Sequence, residues 1–95
     1  MNTYELTVIV RNRETESLIE RVKDILTKHG TSVISDNSLG IKKLAYAIDG
    51  ETQGYYLFMN VEIPPESVKK IIADFRLNSD ILRYLFVKIK KAATA

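Results

Sequence analysis

At 95 residues, with 45% apolar and 27% charged side chains, the chain has the size and composition of one ordinary soluble domain with a single modest core. No stretch approaches the roughly 20 apolar residues that cross a bilayer, Met1-Asn2-Thr3-Tyr4-Glu5 does not read as a signal peptide, and the lack of cysteine excludes disulfides and thiolate metal sites. The net charge of +2 is unevenly placed: residues 1–80 hold ten Lys/Arg against twelve Asp/Glu, whereas residues 81–95 hold Arg83, Lys88, Lys90 and Lys91 and no acid.

Tyr4-Glu5-Leu6-Thr7-Val8-Ile9-Val10 predicts a first strand, with Leu6, Val8 and Val10 on one face. Thr15 is the expected helix cap, and Glu16 suits the first turn. Leu18, Ile19, Val22, Ile25 and Leu26 then repeat with the period of an amphipathic helix, which His29-Gly30 should end. A second strand starts at Val33-Ile34, breaks near Ser35-Asp36-Asn37-Ser38 and resumes at Leu39, with Gly40 marking a bulge. It turns at Asp49-Gly50 and returns from about Tyr55 to Ile63, where Pro64-Pro65 stops the ladder.

Pro65 and Glu66 open a second helix whose apolar stripe is Val68, Ile71, Ile72 and Phe75 and which closes at Asn78-Ser79-Asp80. Ile81 to Ile89 is the last strand. Two amphipathic helices in this order are best buried on one face of a four-stranded antiparallel sheet. With right-handed crossovers, this gives an α+β, ferredoxin-like βαββαβ fold. Residues 1–91 are expected to form that single domain, and residues 92–95 a frayed tail. The other sheet face has no cover from the two helices and carries apolar residues, which points to a macromolecular partner.

The residues speak against catalysis. His29 is the only histidine, at a helix end, where it is expected to meet the helix dipole or solvent. The carboxylates are scattered, in weak pairs such as Asp24 with Lys28. No phosphate loop, nucleophile elbow or metal-ligand spacing is present, so no metal or cofactor is expected. Lys42 and Lys43 beside Tyr46, with more cations in the last strand, instead suit a phosphate backbone and unstacked bases.

The stretch Leu39-Gly40-Ile41-Lys42-Lys43-Leu44-Ala45-Tyr46 resembles one in the family of the sixth protein of the bacterial small ribosomal subunit. Tyr4-Glu5 before an apolar strand, Gln53-Gly54-Tyr55-Tyr56-Leu57-Phe58, and the basic Arg83 and Lys88 in the closing strand extend the likeness over nearly the whole chain. Asn2-Thr3 in place of a basic pair, Ala47 in place of proline and a short tail depart from it.

The resemblance implies a cytoplasmic, non-catalytic ribosomal protein that binds the central domain of small-subunit rRNA and pairs with the eighteenth protein of that subunit, without a small-molecule substrate. Carried over by position, it makes Tyr4, Lys42, Lys43, Tyr46, Arg83 and Lys88 the candidate RNA contacts. Val33, Leu39, Ile41, Leu44 and Ile48 are the candidates for the protein partner. Two other readings remain open on the residues. An RNA-recognition-motif domain would want a basic residue where Gln53 stands, and an acylphosphatase-like domain would need a glycine beside Arg11 or Arg13.

Overall fold

The computed structural model describes residues 2–48 and 50–89. Strand β1 (Asn2–Val10) leads into helix α1 (Thr15–Lys28), followed by strands β2 (Ser32–Ile48) and β3 (Glu51–Ile63). A single 3-10 turn at Pro65–Ser67 runs into helix α2 (Val68–Arg76), and strand β4 (Ile81–Ile89) closes the chain's described part. The sheet order is β2-β3-β1-β4, with every pairing antiparallel. This is the ferredoxin-like arrangement expected from the element order. The tail at 92–95 lies outside the described residues.

Alternation along the strands sorts their side chains onto two faces. Leu6, Val8 and Val10 of β1 and Leu57, Met59, Val61 and Ile63 of β3 are buried toward the helices. They meet Leu18, Val22 and Leu26 of α1 and Ile71 and Phe75 of α2. Tyr84 and Phe86 bring β4 into this core, with ring centroids 5.6 and 6.2 Å from Phe75. The register therefore fixes which alternate residues of β3 and β4 face the helices. Tyr56, Phe58, Leu85 and Val87 belong to the other face.

Helix α1 ends as its sequence predicts. Gly30 adopts φ 75°, the Gly30 amide donates to the Thr27 carbonyl and the Thr31 amide to the Leu26 carbonyl, which satisfies two orphan acceptors of the last turn. The start of α1 differs from expectation. Thr15 is already helical, the preceding Glu14 has φ 50°, and no side chain caps the first amides. A left-handed Glu14 turns the chain into the helix and leaves Thr15 too far inside to serve as cap. Helix α2 stops at Arg76, two residues before the expected Asn78.

Strand β2 departs most from its sequence reading. It is one strand of 17 residues rather than two pieces, and β3 starts at Glu51 instead of Tyr55. A straight strand of that length would extend about 56 Å at about 3.3 Å per residue, more than the 45 Å long axis of the molecule. It must therefore bend. Three register shifts along β2 supply the bends, between Val33 and Ser35, Ser38 and Gly40, and Lys43 and Ile48. Gly40 takes φ 83° at the second, as a bulge glycine should. Polar Ser35-Asp36-Asn37-Ser38 stays in the ladder because its backbone pairs with β3, while Asp36 meets Lys23 of α1 at 2.5 Å.

Between the helices, the His29 Nε2–H donates to Asp74 at 2.7 Å, and Lys28 lies 3.6 Å from the same carboxylate. His29 is thus half-buried in a clasp joining α1 to α2, not simply exposed at a helix end. Lys28 reaches across to α2 rather than to Asp24 on its own helix.

Candidate nucleic-acid interface

The sheet side away from the helices is arranged in rows fixed by register. Ile9 stands between Tyr56 and Arg83, Thr7 between Phe58 and Leu85, and Glu5 between Asn60 and Val87. Lys42, opposite Gly54, joins the basic end of this face, with its ammonium 5.8 Å from the Tyr56 ring centroid. At that distance the cation is attracted by the ring's electron-rich face.

This side is not wholly bare. The end of the β2–β3 hairpin bends across it, and Gly54 makes the bend feasible. A Cβ built at Gly54 would fall 2.5 Å from Ile9 Cγ2 and 3.5 Å from Leu44 Cδ2, so a side chain there would have to displace Ile9 beneath Leu44. Leu44 is only 6% exposed as a result, and Ile9 8%. Beyond it, Tyr46 extends over two intervening strands, and Arg83 Nη1 of β4 donates to its hydroxyl at 2.5 Å. The arch unites residues 37 positions apart in sequence. A hollow of about 220 Å³ remains beside it, lined by Thr7, Ile9, Arg83, Tyr84 and Leu85.

The six candidate RNA contacts separate into groups. Lys42, Tyr46 and Arg83 share the open face at one end, all exposed. Lys43 sits beside Lys42 but has the opposite parity, in register with Gln53. Tyr4 and Lys88 are paired with each other at the far end of the sheet, about 17 Å away from Ile9 and Arg83 at the usual rise per residue. Tyr4 faces the helix side, half-buried, its ring edge-on to Phe86 with centroids 6.0 Å apart.

Among the partner candidates, Val33, Leu39 and Ile41 are exposed along the outer strand β2, together with Ile34. Ile48 is half-buried. Leu44 is covered by the chain's own fold. Gly54, Ile9 and Tyr56 were not among the sequence candidates, although a glycine within an apolar strand was the available signal for a close approach.

Arg11, one of the two arginines of the first loop, is 3.1 Å from Glu51 and 3.4 Å from Asp80, so its guanidinium is already paired with carboxylates. Among the described residues, no group of three or more His, Cys, Asp or Glu could hold a metal ion. An exposed cation pair with two tyrosines can bind anions and aromatic rings, and has no base or nucleophile positioned for turnover.

The family model for ribosomal protein S6 matches residues 3–88. The chain belongs to the ribosomal protein S6 family. A small ribosomal subunit protein bS6 from Phocaeicola vulgatus is 32% identical over 97 aligned positions, covering 98% of this chain and 85% of the relative. The fold agrees with the crystal structure of a 30S ribosomal protein S6 from Thermotoga maritima, with a TM-score of 0.84 at 22% identity over 93% of this chain and 87% of that one. The C-terminal domain of the MgtC protein from Mycobacterium tuberculosis has the same architecture at a TM-score of 0.62 and 9% identity, covering 100% of this chain and 95% of that domain.

Membership makes the chain a structural, non-enzymatic constituent of the small ribosomal subunit, working in the cytoplasm. No described helix is long and apolar enough to cross a membrane.

Proposed function

We propose that this S6-family protein binds the central domain of small-subunit rRNA, and does so as half of a heterodimer with the eighteenth protein of the subunit. The observation that carries the reading is the open-face cluster, where Lys42 lies over Tyr56 and Arg83 holds Tyr46. Its cations suit phosphates and its exposed Tyr46 ring offers a stacking surface for an unpaired base. Lys43 adds a cation on the reverse of the same hairpin, while Tyr4 and Lys88 form a smaller contact at the far end.

Val33, Leu39 and Ile41 on β2 are the surface for the protein partner. They stand on an outer strand, where backbone groups can pair with an extended arm of another chain. RNA affinity of the protein alone is weak because few cations face the backbone. The partner enlarges the basic surface and lowers the entropic cost of assembly. Titration of a labelled central-domain rRNA fragment, with and without the eighteenth protein, tests the pairing. Tighter binding with the partner is expected, and equal affinity in both titrations refutes the cooperative part. Crosslinks from Lys42 or Tyr46 to the RNA are expected in the assembled subunit, and their absence would move the RNA surface elsewhere.

A further inference from the structure

The sheet has two outer strands, and they are built differently. β2 is interrupted by three register shifts, has Gly40 in the left-handed region and carries Asp36, Lys42 and Lys43. Bulges and charges of this kind blunt an edge against indiscriminate pairing. β4 carries fewer such protections, one register shift at its first step and two cations. From Arg83 to Ile89 it pairs with β1 without a break, the shift lying opposite Ile9 and Val10, and its only charged residues are Arg83 and Lys88. Among the described residues no strand lies beyond it in the sheet order, so alternate backbone amides and carbonyls of Ile81–Ile89 face outward.

We propose that the β4 edge accepts an added strand from another protein, an extended segment with apolar side chains on the open face and acidic ones on the helix side. The flanking residues dictate this alternation. On the open face, Leu85 is 58% and Val87 46% exposed, and the hollow beside Leu85 has room for one apolar side chain. Glu5, opposite Val87 and one strand inward, disfavours an acid on that face.

On the helix side β4 presents the exposed cation Lys88, and Arg76, exposed, donates from Nε to the Tyr84 hydroxyl at 3.2 Å. Asp80 and Asp74 are already paired, with Arg11 and with His29. A second copy of this chain is a poor occupant, because β4 against β4 brings two strands together that carry only positive charge. Backbone hydrogen bonds supply the affinity of such an added strand, and the alternate side chains its selectivity.

The test uses the full chain labelled with nitrogen-15 and a ten-residue peptide alternating Val and Glu, in the absence of RNA. The outcome is therefore independent of whether the rRNA reading stands. The outward-facing amides of Ile81–Ile89 are expected to exchange about tenfold more slowly when free peptide is about ten times its dissociation constant, with β2 amides unchanged. Leu85→Glu should abolish the protection and Leu85→Val retain it.

A peptide alternating Val and Lys should give none. Protection along β2 instead, equal protection by the lysine peptide, or no protection at millimolar peptide overturns the proposal. So does concentration-dependent protection of β4 without peptide, which would make a second copy the occupant.

Discussion

The two sides of this sheet are made from the same four strands and do opposite things. Toward the helices, Leu6, Val8, Val10, Met59, Val61 and Ile63 are fully enclosed, and aromatic rings from β4 close the layer over Phe75. On the other side, among the described residues, the chain's own hairpin covers one end, and Leu85, Val87, Lys42 and Arg83 face outward. A period of two assigns successive residues to these two environments. Stability and binding can therefore be carried by neighbouring positions with little mutual interference. Leu85 and Phe86 are adjacent in sequence, yet one is exposed and the other is half-buried against the core.

The sharpest way to break the division is from the helix side. Phe75→Ala removes a side chain that is 1% exposed and stacks on Phe86, at an expected cost of about 3–5 kcal/mol. That is a large fraction of the roughly 5–15 kcal/mol that holds a typical domain together. Urea unfolding should show the loss, and a shift below about 1 kcal/mol would mean the core re-forms without the ring.

Gly54→Val tests the one place where the two sides are coupled. The new side chain meets Ile9 and pushes Leu44 away, with an expected destabilisation of about 1–3 kcal/mol. It should also separate Tyr46 from Arg83, visible as altered tyrosine ring signals in NMR. An intact Tyr46–Arg83 contact in the variant would show that the arch does not depend on a bare position 54.

The layered architecture was legible because each helix shows a clean apolar repeat and Leu6, Val8 and Val10 of β1 recur at alternate positions. The closing strand was read with its correct bounds for the related reason that Asn78-Ser79-Asp80 and the following apolar run leave few alternatives. Strand β2 was not legible in the same way. Its polar Ser35–Ser38 stretch has the composition of a loop, and only pairing with β3 makes it strand, a tertiary effect that local propensity does not contain.

The arch was hidden for a similar reason. Leu44 reads as an exposed apolar residue of an edge hairpin until the missing side chain at Gly54 lets it fold down. The clasp of His29 with Asp74 joins residues 45 apart, and no spacing rule connects them. Tyr4 and Lys88 were placed in one surface with Lys42 by family likeness, whereas the register puts them at the opposite end.

Smaller effects are expected where the open face is altered. Lys42→Ala combined with Arg83→Ala should lower the salt dependence of rRNA binding by about two ion contacts. Stability should stay within about 0.5 kcal/mol of the parent, since both side chains are surface groups away from the core. Lys88→Ala should remove about one contact if the far end also meets phosphate. An unchanged slope in the double variant would leave Lys42 as a guard of the hairpin edge and Arg83 as a structural partner of Tyr46.

The smallest effect concerns the clasp on the helix side and depends on pH. Hydrogen bonding from His29 is the largest influence on Asp74, aided by the Lys28 charge and opposed by partial burial, and the carboxyl is held below its ordinary 3.8. A carboxyl group depressed in the folded state binds its proton more readily when unfolded. Its stabilising contribution is complete well above 3.8 and is lost as pH falls through the lower, folded value. Asp74→Asn should therefore lower the urea midpoint at neutral pH, and the difference from the parent should shrink as pH falls below 3.8. A midpoint difference that stays constant from neutral to strongly acidic pH would assign the effect to packing between α1 and α2 rather than to the charge on Asp74.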